Sequence, residues 1–358
     1  MEQCTSTRLA GAAQRVVLRF AAVVGLSLAL VPTPAQSAAT VRIGTSNSSS
    51  DVGFYIADKK GYFKEEGIEA SFIPFDSAGK MIPSLGTGQI EVGSGAPSAA
   101  LYNAVARGVV VKIVADKGST PAGHGFQPLL VRKDLIASGK VKGFKDLKGL
   151  KIASGATGIS TSSTLNEALK KGGLSAKDVA VVNLGYPHHV AALQNGAVDA
   201  SLTTEPSATV AVMSGAAVRF AGDDVIYPDH QLSVVIYGAN FIKDSPEIAR
   251  KFMRAYLRAI RDYNDALKDG KLIGPNAEEV IAILLEYTSI KDANVYRSIV
   301  AHGTNPDGRV NMESLQKDFE FFQEGGLLDE KVSVAQAVDN SFVEDAVAEL
   351  GPYVRGRR

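Results

Sequence analysis

The 358-residue sequence has no tryptophan and a single cysteine, Cys4. With one cysteine the chain can form no internal disulfide, and a metal site built from several thiolates is excluded. Cys4 also lies before the apolar run near the N-terminus, so it cannot be the lipid-carrying cysteine that follows such a run in a bacterial lipoprotein. Stability must therefore come from buried apolar area, and only tyrosine or phenylalanine could stack on a ligand ring.

Neither sign of charge is in excess, because 38 Lys and Arg residues balance 38 Asp and Glu residues. This balance does not favour nucleic acid or an anionic membrane as a partner. Hydrophobic residues make up 45% of the chain and charged residues 21%, which is typical of a globular protein. The length after residue 39 is sufficient for two ordinary domains.

Several common catalytic motifs are missing. The sequence has no Gly-x-Ser-x-Gly elbow, no P-loop lysine, no His-Glu-x-x-His and no Gly-x-Gly-x-x-Gly. His188 and His189 are adjacent, but neighbours on a helix point about 100° apart and no third ligand is suitably spaced. We therefore predict no catalytic residue, no cofactor and no metal site.

The N-terminal segment is predicted to be a secretory signal peptide covering residues 1–39. Arg8, Arg15 and Arg19 precede an apolar run over residues 20–31, and small residues follow at Ser37 and Ala39. The run is shorter than the roughly 20 residues that span a bilayer, so a membrane anchor is the weaker alternative.

The sequence contains an internal repeat. Residues 85–99 combine a glycine-closed helix end, an apolar-acidic step and a small-residue turn with proline, and residues 193–208 repeat this order. Residues 41–45 likewise resemble 150–154, and residues 107–114 resemble 214–220, at nearly the same offset. Three matches in order predict a protein with two similar lobes.

Each lobe is predicted to be an α/β unit with a mostly parallel sheet flanked by helices, because strand and helix patterns alternate. We place the first lobe at residues 40–131 plus 237–358 and the second at residues 132–236, with crossings near the strands around 128–131 and 231–237. The chain after Pro246 has a helical pattern without a third set of strands, and we assign it mainly to the first lobe.

Ligands of open parallel sheets bind beyond the carboxyl ends of the strands, where loops meet helix starts. That rule selects the loops at residues 46–51, 94–97, 154–163, 186–189 and 203–206, which are rich in Gly, Ser and Thr. Such loops favour an anionic ligand group held by amides and hydroxyls, although Ser, Thr and Asn also simply cap helices. Glu205 either faces a cationic end of the ligand or points away from it, since its charge would repel an anion.

Four segments carry a resemblance to a known family. They are residues 54–68, 88–93, 145–152 and the pair Glu205-Pro206. With the signal peptide and the doubled lobe, the chain resembles the periplasmic solute-binding proteins of ABC importers. It is most similar to the group, also called NMT1/THI5-like, that includes nitrate, sulfonate and taurine receptors and thiamin-pyrimidine binders.

The resemblance implies a type II periplasmic-binding-protein fold whose two lobes close on one small-molecule solute. It also implies docking on ABC permease subunits, a periplasmic location, and a monomer. The positions that correspond to ligand contacts, together with two neighbours from the same loops, are Ser46, Asn47, Ser49, Gly95, Ala96, Thr157, Ser160, Tyr186, His188, Thr204 and Glu205. His188 would donate a hydrogen bond to the ligand, although a capping or surface role is an alternative.

The expected ligand is a small organic anion or zwitterion of the sulfonate, taurine or nitrate type. A neutral aminopyrimidine or an aromatic carboxylate remains an alternative ligand. A secreted enzyme of the same fold, or a sensory receptor that signals instead of delivering solute, remains an alternative function.

Overall fold

The computed structural model describes residues 38–46, 48–328 and 332–356. The predicted signal peptide therefore lies almost entirely outside the described residues, as does Asn47. Among the described residues, no helix has the length and apolar character needed to cross a membrane.

Ten strands form two five-stranded sheets, and two further strands form a small hairpin. The strands are β1 Ala39–Thr45, β2 Ile68–Pro74, β3 Val92–Gly95, β4 Lys112–Gly118, β5 Leu129–Arg132, β6 Lys151–Ser154, β7 Ala180–Asn183, β8 Ala200–Leu202, β9 Ala217–Ala221, β10 Ser233–Tyr237, β11 Leu267–Lys268 and β12 Lys271–Leu272.

Helices surround both sheets and make up most of the C-terminal part of the described chain. They are α1 Val52–Lys59, α2 Tyr62–Glu65, α3 Ala78–Gly86, α4 Ala99–Ala106, α5 Lys133–Ala137, α6 Ser160–Lys171, α7 Tyr186–Gln194, α8 Ser207–Met213, α9 Asp223–Ile226, α10 Ala239–Asp244, α11 Pro246–Ala266, α12 Ala277–Tyr287, α13 Ala293–Ser298, α14 Met312–Glu324, α15 Val334–Ala337 and α16 Ser341–Leu350.

The two sheets have the same strand pattern. The first runs β2-β1-β3-β10-β4 and the second β7-β6-β8-β5-β9. In each, three parallel neighbours are followed by one antiparallel strand, β10 or β5, which arrives from the other lobe. The repeated sequence segments contain the corresponding strands β3 and β8, so the prediction of two similar α/β lobes is confirmed.

The crossings between the lobes lie at β5 and β10. Strand β5 pairs with β8 and β9 and so belongs to the second sheet, whereas β10 pairs with β3 and β4 in the first. Each crossing strand lies between two strands of the lobe that it enters. The exact limits of the lobes as domains stay a prediction.

The first helical segment is broken into α1 and α2 at Gly61, whose φ of 77° is a left-handed conformation that favours glycine. One prediction was wrong. The tail after Pro246 does contain strands, since β11 and β12 form a hairpin turned by Asp269 and Gly270, both with positive φ.

The long helix α11 joins the tail to the first lobe. Its apolar residues recur every three or four positions, and Phe252, Tyr256 and Ile260 are buried against the first helix of the chain. The rings of Tyr256 and Phe54 lie 5.2 Å apart between centroids. Helix α11 therefore covers one face of the first sheet. Helix α14, which also belongs to the tail, packs on the other face through Leu315 and Phe322.

Candidate functional site

A small cavity lies between the two lobes, beyond the carboxyl ends of β1, β3, β6 and β8. It is a narrow cleft with about 410 Å³ of empty space, part of which is open to solvent. Its walls are formed by Ser46, Ser48, Ser50, Asp76, Ser77, Ala78, Gly95, Ala96, Phe126, Gln127, Gly155, Ile159, Thr161, Tyr186, Thr204, Leu232 and Ser233.

Several helices begin at this cavity. Ala78 and Tyr186 are the first residues of α3 and α7, Thr161 is the second residue of α6, and Ser50 lies in the turn that leads into α1. A helix start carries roughly half a positive charge, and its first amides have no partners within the helix. The helix starts therefore make the cavity favourable for a negative or acceptor-rich group.

The floor of the cavity on the first lobe is organised by a buried ion pair. Lys117 and Asp51 are both fully buried, with 2.6 Å between Nζ and Oδ1. Asp51 Oδ2 accepts hydrogen bonds from the backbone amides of Ser46, at 3.1 Å, and Ser48, at 3.2 Å. Burial lowers the pKa of Lys117, and the charge and hydrogen bond of Asp51 oppose that shift. The pair fixes the backbone of the loop that follows β1.

This arrangement also sets the direction of two hydroxyl groups. Lys117 Nζ donates to Ser46 Oγ at 3.4 Å, and an ammonium group can only donate. Ser48 Oγ accepts from the amide and the hydroxyl of Ser50, at 3.4 and 3.2 Å. Both oxygens are occupied as acceptors, and among the described residues neither proton has an acceptor. Ser46 and Ser48 can therefore donate hydrogen bonds to a ligand.

On the second lobe, a triangle of hydrogen bonds lines the opposite wall. Gln127 Nε2 donates to Thr161 Oγ1 and to the Tyr186 hydroxyl, at 3.2 Å each, and these two hydroxyls lie 3.1 Å apart. The two hydroxyls share one proton between them, so one hydroxyl proton remains for a ligand. Burial raises the pKa of Tyr186, which keeps the phenol protonated.

A buried histidine supports Tyr186 from behind. The rings of His189 and Tyr186 meet edge to face at 5.6 Å between centroids. His189 Nε2 lies 3.0 Å from the Leu184 carbonyl oxygen, and Nδ1 contacts the hydroxyls of Ser201 and Thr203. Burial lowers the pKa of His189 to about 4, so the ring is neutral near pH 7. His189 is a neutral packing residue and not part of the wall.

Direct hydrogen bonds join the lobes around the cavity. The amides of Ala99 and Ser160 donate to the carbonyls of Gly158 and Pro97, at 2.8 and 3.0 Å, respectively. Beyond them, Ser160 Oγ donates to Asp318 Oδ2 at 2.5 Å, and His230 Nε2 lies 2.9 Å from the same oxygen. On the other side, the Ser49 amide donates to the Glu205 carbonyl at 2.9 Å. The structure thus has its lobes in contact around a narrow cavity.

The structure brings five of the predicted site residues to the cavity wall. They are Ser46, Gly95, Ala96, Tyr186 and Thr204. Gly95 has a φ of 130°, and a Cβ there would lie 3.0 Å from the Ala78 Cβ. A glycine is therefore needed for β3 to turn at the cavity. The prediction that these residues bind a ligand stays a prediction.

Other predicted residues lie outside the wall. Thr157 is exposed and accepts from Asn183 Nδ2 at 3.0 Å, and His188 is exposed. Ser49 and Ser160 are buried in the contacts between lobes described above. Asn47 lies outside the described residues.

Glu205 is fully buried and engaged with other groups. Its carboxylate forms an ion pair with Arg219 and accepts from the amides of Thr209, at 2.9 Å, and Val300, at 3.3 Å. Of the two orientations that the sequence left open, this geometry supports the one that points away from the ligand. The loop around Glu205 contains no cationic residue that could pair with it. Its partner, Arg219, lies on β9, 14 residues later in the chain.

Sequence reasoning missed Gln127 and Phe126 in the wall, and Lys117 behind it. Thr161 and Asp51 lie in predicted loops but were not named as site residues. Gln127 precedes β5 in the crossing between lobes, so the search through loops after parallel strands did not reach it. A segment that passes from one lobe to the other must run along the cleft, which is the signal that could have identified it.

Comparison with known proteins places this site in context. A family model described as NMT1/THI5 like matches residues 48–266. A Bacillus subtilis protein named for the binding of aliphatic sulfonates is 26% identical over 316 residues, which is 86% of this chain and 88% of that protein. A 4-amino-5-hydroxymethyl-2-methylpyrimidine phosphate synthase of Aspergillus parasiticus is 30% identical over 217 residues, or 57% of this chain and 60% of the synthase.

A solved structure shares the fold. The alkanesulfonate-binding protein of Xanthomonas axonopodis pv. citri, bound to MOPS, superposes with a TM-score of 0.67 at 21% identity. The match covers 86% of this chain and all of that one. The two-lobed binding-protein architecture predicted from the sequence is thereby confirmed.

Proposed function

Because this chain belongs to the NMT1/THI5 like family, we propose that it is a solute receptor that delivers a small organic sulfonate or a related anion to an ABC importer. The relative named for aliphatic sulfonates spans most of both chains and supports the ligand class. A periplasmic location and permease subunits as partners follow from the same proposal.

The observation that carries this proposal is the hydrogen-bond direction in the cavity. Ser46 and Ser48 have their oxygens occupied as acceptors, and one proton of the Thr161–Tyr186 pair is also free. Each of these groups can donate to a ligand, and the helix starts add further donors and partial positive charge. Sulfonate oxygens accept hydrogen bonds and carry the negative charge that such a lining favours.

Binding would be coupled to closure of the lobes. Ser46 and Ser48 belong to the first lobe, whereas Thr161 and Tyr186 belong to the second. A ligand reaches both sets of donors only when the lobes are in contact, so it binds the closed state more tightly than the open one. That difference in affinity drives closure without covalent chemistry.

Thermal unfolding with a ligand panel tests the proposal. Methanesulfonate, ethanesulfonate and taurine should raise the unfolding temperature of the purified protein, because ligand at 100 times its Kd adds about 2.7 kcal/mol of stability. Nitrate, benzoate and an aminopyrimidine form the comparison set. Stabilisation by the aminopyrimidine but by none of the sulfonates would overturn the proposed ligand class.

A variant links that binding to the cavity. Ser46→Ala removes a donor to a charged ligand and should weaken sulfonate binding by about tenfold or more in calorimetric titration. Ser214→Ala, an exposed serine at the end of α8, is the matched control and should leave the affinity unchanged. Equal affinities for all three proteins would place the ligand elsewhere.

The fungal synthase among the relatives favours an enzyme as the second candidate function. A receptor returns its ligand unchanged, whereas an enzyme transforms it. Nuclear magnetic resonance of the ligand after prolonged incubation with the protein distinguishes the two. Unmodified sulfonate supports the receptor, and any protein-dependent product supports the enzyme.

A further inference from the structure

Two side chains of the cavity wall, Asp76 and Gln127, carry acceptors that are not hydroxyls. Asp76 is exposed and paired with Lys80, whereas Gln127 is buried. Gln127 is fully buried, and its Oε1 has no hydrogen-bond partner among the described residues. A buried acceptor without a partner is unfavourable in a folded protein and therefore needs an explanation. Because Gln127 belongs to the wall of the ligand cavity, a ligand could supply the missing donor.

The rest of Gln127 is held firmly. Its backbone amide donates to Asp223 Oδ1 at 3.0 Å, and its Nε2 donates to Thr161 and Tyr186 at 3.2 Å each. Both amide protons of the side chain are thus in use, which leaves the carbonyl as the free end. The orientation of that carbonyl is set by two side chains of the second lobe.

The backbone around Gln127 is fixed as well. The Glu205 amide donates to the Phe126 carbonyl at 2.9 Å, and the Thr203 amide donates to the Pro128 carbonyl at 3.4 Å. These bonds hold the crossing segment against the end of β8, on both sides of Gln127. A side chain placed in this way can discriminate between ligands, because it cannot turn to suit each of them.

We propose that Gln127 is a specificity-determining residue whose carbonyl accepts a hydrogen bond from an ammonium or hydroxyl group of the ligand. This inference rests on the proposed function, in which the sulfonate end meets the donors of Ser46 and Ser48. The preferred ligand class is then a short sulfonate with a donor group a few atoms from the sulfonate. Gln127 thus has the role that the sequence suggested for Glu205, which is to face the cationic end of the ligand. The Glu205 carboxylate is instead bound to Arg219 and to the Thr209 amide.

Two ligands of nearly equal size test the proposal. Taurine carries an ammonium group where propane-1-sulfonate carries a methyl group, so their affinities differ mainly through that one group. Calorimetric titration of the unmodified protein should show a preference for taurine of about tenfold or more. In Gln127→Met, which keeps the length of the side chain but lacks the acceptor, we expect the two affinities to lie within about threefold.

Ser46→Ala is the matched control for this preference. It should weaken both ligands by a similar factor, because both present the same sulfonate to Ser46, and it should leave the preference for taurine intact. Circular dichroism reports whether Gln127→Met is folded, and Gln127→Leu provides a smaller replacement if it is not.

Two results would overturn the proposal. One is a wild-type protein that binds propane-1-sulfonate as tightly as taurine, and the other is a Gln127 variant that weakens both ligands equally. Failure of the unmodified protein to bind either sulfonate is a different result, because it contradicts the proposed function itself.

Discussion

Asp51 in the first lobe and Glu205 in the second are buried carboxylates in loops at the two sides of the cavity. Asp51 pairs with Lys117 and accepts from the amides of Ser46 and Ser48, whereas Glu205 pairs with Arg219. They differ in the environment of the cation. The Lys117 side chain is 0% exposed and that of Arg219 is 27% exposed.

The two ion pairs have different structural roles. The first pair lies inside one lobe and shapes the cavity wall through the loop after β1. The second pair joins the lobes, since the Glu205 carboxylate accepts from the amide of Val300 and its carbonyl accepts from that of Ser49. An acidic residue at the edge of a ligand cavity is therefore not necessarily a ligand contact.

The largest expected effect comes from removing Asp51. Asp51→Ala leaves the Lys117 ammonium buried without its counter-charge, which should lower the free energy of unfolding by about 3–5 kcal/mol. Glu205→Ala should cost only about 1–3 kcal/mol, because the exposed side of Arg219 remains in contact with water and the main loss is two hydrogen bonds to amides.

Urea denaturation of both variants measures this comparison. Far-ultraviolet circular dichroism confirms that each variant is folded before the titration begins. Equal losses of stability, or a larger loss for Glu205→Ala, would contradict the conclusion that breaking the Lys117–Asp51 pair costs more than breaking the Arg219–Glu205 pair.

Asp223 shows what happens to a buried carboxylate at this site that forms no ion pair among the described residues. Burial raises its pKa to about 7, and the hydrogen bond from the Gln127 amide opposes that shift. Since the folded-state pKa lies above the unfolded value of about 3.9, the stability that Asp223 contributes is complete below pH 4 and is lost as pH rises through 7.

Asp223→Asn should remove that loss. Its free energy of unfolding at pH 8 should exceed that of the unmodified protein by up to about 4 kcal/mol, with little difference at pH 4. Asp116, with a pKa raised by burial to about 6, adds a slope of the same sign but is present in both proteins. Denaturation curves at pH 4, 6 and 8 test this, with the exposed Asp229→Asn as control. A parallel pH dependence in both variants would contradict it.

The sequence predicted the doubled fold well because repeats act through local patterns. Residues 85–99 and 193–208 form helix, strand and turn by short-range rules, and their strands β3 and β8 occupy the same position in each sheet. The two antiparallel strands were harder to foresee, since the direction of β5 and β10 depends on the route of the chain between lobes.

The site was predicted less completely. Gly95 and Tyr186 follow from the loop rule, because strand ends and helix starts can be read from the sequence. Gln127 and the Lys117–Asp51 pair could not be read in this way. Lys117 lies 66 residues from Asp51, and only tertiary packing brings them together.

The smallest expected effect is on ligand affinity when Glu205 loses its charge. Glu205→Gln keeps the size of the side chain, and its oxygen can still accept from the Thr209 amide. If Glu205 only joins the lobes, the affinity for taurine should change by less than about threefold. In Gln127→Met, by contrast, taurine affinity should fall by about tenfold. A tenfold loss in Glu205→Gln that is seen with taurine and not with propane-1-sulfonate would instead place the ammonium group beside Glu205, and would require the Arg219 pair to open when ligand binds.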